Sequence, residues 1–585
     1  MHEASHIPTD LDACRSLIES QARVMLEIQK SKEDLSKEII ELKLQIDKLL
    51  KQLYGPKSER NVEDTNQLHL NFGDDEQARD TQADAVAEAE RIVQEFTVRR
   101  EIKKSKKTRN EQLPEHLPRY EVIVPIADAD KFCATHGERI IIGYDITETL
   151  EFERARLRVR VTKNPKLACV NHSECGIAQP ERAMGLVEGN RFDSSVAAEI
   201  ITGKYGFHLP FYRQQDWFAG SGWCPTRSTL LNILVAAEFV LRPLADYYRR
   251  LLMTTDVIGC DETRVTLITP TAVPNIANDA SVRDRRRHEV LSEAIAKERP
   301  SLNARMWAYR GVHVPINVFD FTVSRERYGP DDVLADFRGF LMADCWSGFK
   351  QIHLRSDLRI TRVACMTHAR RHVHECCASH PQQASVLLAM FRQLYDIEDR
   401  AKELSADDRL TLRQAESVPV LNRMRTYLDS GAVSLPHVLL KSDFAQAVNY
   451  LNNHWEQLSL FTTSGRIPID NNDVEQLMKQ VAVGRKNWLF LGSPDAGTRA
   501  ATLLTLISTA LRNDLDVWAY LKDVLDKLLA GSTDYASLRA DIWKQSHPES
   551  VRTYRSEERR DTANRTKLTR AQRRLQNARK NNSAK

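Results

Sequence analysis

Two short apolar runs, far apart in this chain, each end in an aspartate, and a later amphipathic helix carries a glutamate. Asp261 closes "DVIGCDET", Asp344 ends "GFLMADCW", and Glu475 lies in "IDNNDVEQLMKQVAVGRKNWLFLGS". The two runs read as strands, so both aspartates are expected at strand ends, projecting past one edge of a sheet; a helix packed over that edge can supply the third acid. Mg²⁺ is a hard cation that takes oxygen ligands, and two such ions about 3.5–4 Å apart can activate an attacking oxygen and stabilise a leaving one. The order strand, strand, helix is what a ribonuclease-H-like sheet needs to gather three carboxylates, and it points to phosphodiester chemistry on nucleic acid. Glu475 has a rival role, because with Asn472 as N-cap it would be the N3 residue of a capping-box-like arrangement. Glu262, Asp470 and Asp473 are neighbouring acids that compete as ligands.

At 585 residues the chain is too long for one core. Net charge is only +4, so no global field demands an anionic partner. The distribution is more telling: 61–95 is acidic, 98–110 is basic ("VRREIKKSKKTRN"), and the tail 552–585 is basic and polar. Local basic segments suit phosphate partners, although each could equally be a solvated linker. The N-terminus "MHEASHIPTD" does not read as a signal peptide, no apolar run approaches a membrane span, and ten scattered cysteines do not form a disulfide framework. A reducing cytoplasm, in association with the nucleoid, is the expected location.

Leu35, Ile39, Leu42, Ile46, Leu49 and Leu53 alternate spacings of four and three, which is an a/d seam on a helix over 21–53. Gly55 and Pro56 end it. The expected organisation is a coiled-coil helix in 1–60, a charged linker in 61–112, a small unit in 113–185, a mostly helical region in 186–252, a catalytic domain in 253–530 with helices over about 372–466, and a basic tail in 531–585. Within the small unit, "LEFERARLRVRVTK" alternates as a strand would. In 186–252, Pro225, Thr226 and Ser228 start a helix after a break, so a helix-turn-helix or a plain helical hairpin is expected there. Further strands are read at 256–260, 305–310, 312–322, 339–343 and 359–365, and helices near 385–404, 408–428 and 441–460. A charged stretch, 276–303, separates the first strand from the second.

Cys133 and His136 have the spacing C-x-x-H, and Cys169, His172 and Cys175 follow about thirty residues on. Two such knuckles could supply the four Cys or His ligands of a closed Zn²⁺ site, the choice between His172 and Cys175 being open. The opposing reading is a finger that folds without metal. Arg485 and Lys486 follow the Glu475 helix, and His368, Arg370 and Arg371 begin the helix after the last strand. Both groups are candidates for phosphate contacts. Trp488 and Phe490 are expected to pack in a core rather than stack on bases.

The wording of several blocks then becomes specific. "DNNDVEQLMKQVAVGRKNWLFLGS", "CDETRV", "FRGFLMADCWSGF" and "ACMTHARRHVHE" resemble signature blocks of the insertion sequence 66 family of bacterial transposases. "LKLQIDKLLKQLYGPKSER" resembles its leucine-zipper-like N-terminus, "LPEHLPRYEVIVP" its linker into a zinc-finger-like module, and "KYGFHLPFYRQQDWFAGSGWCPTRSTL" its helical DNA-binding region. The resemblance runs from about 35 to 530. It implies an α/β multidomain protein with a ribonuclease-H-like catalytic core interrupted by an all-helical insertion, preceded by the coiled coil, the zinc-finger-like module and the helical DNA-binding region. It implies a DDE transposase with Asp261, Asp344 and Glu475 as catalytic residues and ligands of Mg²⁺ (or Mn²⁺), acting on transposon-end DNA and target DNA. A homo-oligomer, accessory proteins of the same element, and Zn²⁺ on Cys133, His136, Cys169 and Cys175 complete the expectation. The chain departs from the family pattern at Gln476, at "CMTHARR", at the charged stretch 276–303 and at the non-cysteine His136. Two rival readings remain: an inactive DNA-binding protein derived from such an element, and a metal nuclease that cuts without joining.

Overall fold

The computed structural model describes residues 192–430 and 442–583 apart from Pro274 and Gln351, with short stretches at 25, 29, 87, 90–94, 132–133, 137–138, 157–161, 167–168, 177–178 and 184–186. The heptad segment falls outside the described residues save for Met25 and Gln29, which are helical. The chain divides into two compact units, one of 1–71, 181–214 and 226–553, the other of 72–180, 215–225 and 554–585.

The first unit is mixed α/β. Helices α1 (Ser194–Ile201) and α2 (Arg227–Leu252) precede a five-stranded sheet. By length and composition α2 could cross a membrane. Its Leu230, Leu234, Leu241 and Tyr248 are instead buried at 0–1% exposure in the core. The strands are β1 (Val257–Ile268), β2 (Ser301–Gly311), β3 (Asn317–Thr322), β4 (Gly339–Ala343) and β5 (Ile360–Ala364), in the spatial order β3-β2-β1-β4-β5. The first three form an antiparallel meander, and β4 and β5 add in parallel.

The charged stretch between β1 and β2 contains helix α3 (Val282–Ala296). Ser281 caps it, accepting a hydrogen bond from the amide of Asp284 at 3.0 Å. Arg283 then pairs with the buried Asp320 of β3 at 2.6 Å. Helices α4 (Met366–His374), α5 (Pro381–Ala401) and α6 (Val418–Asp429) follow β5, with a shorter helix, Ala406–Leu412, between the last two. With α7 (Asp443–Asn453) they enclose an apolar cluster that includes Leu387, Phe391, Leu394, Met424 and Phe444 and runs on into Val257, Met342 and Val363 of the sheet. Helices α8 (Asn472–Trp488), α9 (Pro494–Arg512) and α10 (Val517–Leu529) follow, and a short helix, Ala540–Ser546, lies beyond them.

Helix α9 closes the open edge of the sheet. The amides of Asn317 and Phe319 on β3 donate to the hydroxyls of Thr509 and Thr505, at 3.1 and 2.9 Å. Edge-strand amides that would otherwise be free to pair with another chain are thereby satisfied.

The second unit holds two short hairpins, Phe132–Cys133 with Gly137–Glu138 and Leu167–Ala168 with Ile177–Ala178. They bracket the two Cys/His knuckles; the ligand side chains of Cys133, His136, Cys169 and Cys175 lie outside what is described. The strand expected through "LEFERARLRVRVTK" is absent at Leu157–Val161, which is irregular, with Val159 and Val161 exposed. Alternation there has no partner strand among the described residues to bury it. The basic tail is a long helix, α11 (Thr553–Ser583), on which Ala571 packs against Ile92.

Candidate active site

Strand β1 reverses one expectation. Asp261 is its fifth residue, not its last, because β1 pairs with β2 along its whole length and Val265 and Leu267 are buried beyond the aspartate. What ends near Asp261 is the parallel ladder to β4. Val257, Ile258 and Gly259 pair with Phe340, Leu341 and Met342. Continuing that register by two residues sets Asp261 level with Asp344, which immediately follows β4. Asp261 is thus at the mouth of a fork between strands, which serves the same purpose as a strand end.

The face on which Asp261 points follows from strand alternation. Two residues earlier, a Cβ on Gly259 would stand 2.6 Å from Cγ2 of Val474 and 2.8 Å from Oδ1 of Asn471. The face of β1 that carries Gly259 and Asp261 is therefore the one covered by α8, and Glu475 stands in the first turn of α8, beside Val474.

Helix α8 is tied to β1 along its length. Asn471, buried at 2% exposure, donates from Nδ2 to the Cys260 carbonyl at 2.8 Å. At the far end Arg485 donates to Thr263 Oγ1 at 2.9 Å, and Leu491 exchanges backbone hydrogen bonds with Thr266 and Ile268. Val474, Leu477, Met478 and Val481 form the buried stripe. The capping-box alternative for Glu475 does not hold. The N-cap is Asn471, whose side chain is engaged with β1, and Asn472 is already helical. Glu475 is left free of any capping role.

The electrostatics match this convergence. Burial pushes the Asp261 carboxyl up to about 7, with Glu262, Asp344 and Glu475 adding to the rise and the amide of Glu262 opposing it. Asp344 accepts a hydrogen bond from the amide of Trp346 at 3.1 Å. Arg325, which no local pattern singles out, bridges the site: its Nε lies 2.5 Å from Glu262 Oε1 and its Nη2 3.7 Å from Asp344 Oδ2. Glu475 is flanked by Arg371, 3.3 Å from Oε2, and by His368, whose Nδ1 is 3.6 Å from Oε1. The three carboxylates offer hard oxygen donors, and Asp261 bears an excess of negative charge from its neighbours. A divalent cation such as Mg²⁺ would offset that excess, so the donor set fits one.

The rival acids have other partners. Glu262 is held by Arg325, Asp473 is exposed and paired with Arg310 at 2.9 Å, and Asp470 accepts from Thr367 Oγ1 and from Asn472. Of the candidate phosphate contacts, Lys486 is exposed, Arg370 is half-buried, Arg485 is occupied with β1, and His368 and Arg371 face Glu475. Trp488 is half-buried over Gly484, but Phe490 is 50% exposed, contrary to the expected core packing. The chain turns there through Leu489 at φ +65°, which throws Phe490 outward.

A family profile described as "Transposase IS66 family" matches residues 189–276 and 288–499, a span containing all three acids. Its interruption falls where α3 begins, within the stretch read as extra sequence. A second profile, "Transposase C of IS166 homeodomain", matches residues 41–122. Uncharacterized protein y4jD of Sinorhizobium fredii is 30% identical over 529 residues, covering 88% of this chain and 96% of that protein. Uncharacterized proteins y4hP and y4qI of the same organism are 28% and 30% identical, over 84% and 71% of this chain and 86% and 74% of their own lengths. The chain belongs to the IS66 family of transposases.

Proposed function

We propose that this transposase is a DDE enzyme that hydrolyses phosphodiesters at the ends of its element and then joins the released 3′-hydroxyls to target DNA. The observation that carries the reading is the level placement of Asp261 and Asp344 beneath the helix that bears Glu475. The sheet order β3-β2-β1-β4-β5, antiparallel then parallel, supports a ribonuclease-H-like core, with the helices between β5 and α8 as its insertion.

Asp261, Asp344 and Glu475 would hold Mg²⁺ or Mn²⁺, which when bound supplies an activated attacking oxygen and stabilises the leaving one. The chain's own residues prepare the site. Arg325 offsets the charge of Glu262 and Asp344, while Asp261 is buried beside its acidic neighbours. Arg371 and His368 hold Glu475 at the rim, and Asn471 fixes the height of α8 over β1. Exposed Lys486 and half-buried Arg370 would contact DNA phosphates, and the basic residues of α11 would contact further duplex. Synapsis of two ends calls for more than one protomer, for which the N-terminal heptads are suited. The paired hairpins around Cys133/His136 and Cys169/Cys175 are compatible with a zinc-knuckle module. Accessory proteins of the same element complete the reading.

Asp261→Asn, Asp344→Asn and Glu475→Gln, each assayed with Mg²⁺ on an element-end duplex and on a pre-cleaved 3′-hydroxyl duplex, test the proposal. Loss of both cleavage and joining by at least about 10²-fold, with end binding retained, is expected. Full activity in any one variant would reject the site. Cleavage without joining by the unmutated chain would leave a nuclease, and binding without either would leave a DNA-binding relic.

A further inference from the structure

We propose that Cys365, His368 and Glu475 form a second metal site, of three ligands, for a borderline-soft divalent ion of the zinc class, and that filling it withdraws Glu475 from the carboxylate site. The second half rests on the function proposed above; the first does not.

Cys365 immediately follows β5 and is the N-cap of α4, and His368 follows in the first turn of that helix. The C-x-x-H spacing across this strand-to-helix junction turns both side chains toward α8. One ligand atom from each of Cys365, His368 and Glu475 lies within 4.8 Å of the others. In a tetrahedral zinc site, bonds of about 2.0–2.3 Å set ligand atoms roughly 3.3–3.8 Å apart. His368 Nδ1 and Glu475 Oε1, at 3.6 Å, already meet that spacing. Both atoms are buried without a hydrogen-bond partner, which is costly unless something binds them. Cys365 is fully buried, and its Sγ accepts a hydrogen bond from the Asn471 amide at 3.2 Å, with the backbone amides of Thr367 and His368 also donating to it.

The donor set decides the metal. Thiolate, imidazole and carboxylate favour Zn²⁺ over Mg²⁺, whereas three carboxylates favour the reverse. The side chains of His368 and Glu475 are 22% and 26% exposed, which leaves solvent to supply a fourth ligand. Because Glu475 belongs to both sets, occupation of the soft site competes with the hard one.

The test uses Co²⁺ as a spectroscopic stand-in for zinc, in the full chain carrying Cys133→Ser, Cys169→Ser and Cys175→Ser so that no knuckle thiolate contributes. One equivalent of Co²⁺ is expected to give a thiolate-to-cobalt charge-transfer band that Zn²⁺ abolishes. Adding Cys365→Ser should remove the band, and adding His368→Gln, a change nearer the surface, should weaken Co²⁺ binding at least about 10-fold. No band in the parent chain, or a band that survives Cys365→Ser, overturns the site. In the same parent, Zn²⁺ should inhibit Mg²⁺-dependent cleavage at concentrations at least about 10-fold below those needed in the Cys365→Ser chain. A band without such inhibition overturns the withdrawal of Glu475 while leaving the metal site. If no variant cleaves under any condition, the proposed function fails and the cobalt spectrum still decides the site.

Discussion

Gly259 of β1 lies directly under Val474 of α8: a methyl group at 259 would stand 2.6 Å from Cγ2 of Val474 and 2.8 Å from Oδ1 of Asn471. Only the absence of a side chain lets the helix approach near enough to bring Glu475 to Asp261. Gly259→Ala should therefore lift the N-terminal turn of α8, cost about 1–3 kcal/mol as overpacking does, and reduce Mg²⁺-dependent cleavage by more than that stability loss explains. Chemical denaturation and cleavage rates measured on the same preparation separate the two effects. Wild-type activity in a destabilised variant would show that helix height does not govern the site.

Asp261 has a second consequence. Its carboxylate is largely buried beside three other acids and has no arginine partner of its own among the described residues. Without divalent metal, such a charge opposes folding. In EDTA at pH 7.5 to 8, Asp261→Asn is expected to raise stability by about 1–3 kcal/mol while abolishing cleavage, the usual trade between a strained site and a relaxed one. Thermal unfolding with and without Mg²⁺ provides the check. The wild type should gain stability from Mg²⁺, and the variant should gain less. A variant less stable than wild type in EDTA would contradict the electrostatic account.

Arg413 holds the approach to α8. Its fully buried guanidinium pairs with both carboxylate oxygens of Glu398 at 2.7 Å and donates to the carbonyls of Phe461, Ser464 and Ile467 at 2.7–2.8 Å. Arg413→Met leaves Glu398 and three carbonyls unpaired and should cost about 3–5 kcal/mol, read from denaturant midpoints. The double variant with Glu398→Leu should recover part of that loss, because the stranded carboxylate is gone. A cost below about 1 kcal/mol for Arg413→Met would remove this residue from the scaffold of the site.

How far these relationships were legible in the sequence depends on their range. The strands read at 339–343 and 359–365 correspond to β4 and β5, because short apolar runs with β-branched residues report local structure directly. The buried stripe of α8 was equally plain from its helical spacing. Strand β1 was read too short, since Glu262, Thr263 and Arg264 are polar. They continue the strand only because β2 pairs with them, and no local signal announces a partner forty residues on. Asn471, Gly259, Arg325 and Arg413 were invisible for the same reason. A glycine, an asparagine or an arginine is ordinary in a list of residues and acquires its role only from what the fold puts beside it.

Lys204 offers a pH test away from the carboxylates. It lies in the π-helical turn Thr202–Gly206 with its Nζ 4.3 Å from the centre of the Phe211 ring, and burial lowers its pKa to about 8. The ordinary lysine value is about 10.4. Between those two values the unfolded chain binds more protons than the folded one, so this residue makes stability rise with pH across that window and stay level below it. The contribution is on the order of 3 kcal/mol at about 1.4 kcal/mol per unit. The difference in stability between Lys204→Met and wild type, followed from pH 7 to 10.5, should be largest at pH 7 and shrink as pH rises. A difference that does not change with pH would mean that Lys204 keeps an ordinary affinity for its proton.

The C-terminal helix carries the last expectation. After Asp561 the chain has no further acidic residue, while Arg565, Lys567, Arg570, Arg573, Arg574, Arg579, Lys580 and Lys585 follow. Helix α11 spans 31 residues, about 46 Å at 1.5 Å per residue, enough to follow more than one turn of duplex. A basic helix of this kind neutralises phosphates without reading bases, and each neutralised phosphate steepens the fall of log K with log salt by about 0.9. Removing residues 562–585 should therefore weaken binding to all duplexes alike and flatten the salt slope by about 3–4, with little change in preference for element ends over random sequence. Titrations of both chains on matched duplexes from about 50 to 200 mM salt decide it. An unchanged slope would mean that the helix lies against protein rather than DNA, and a selective loss of end binding would make it a reader of sequence.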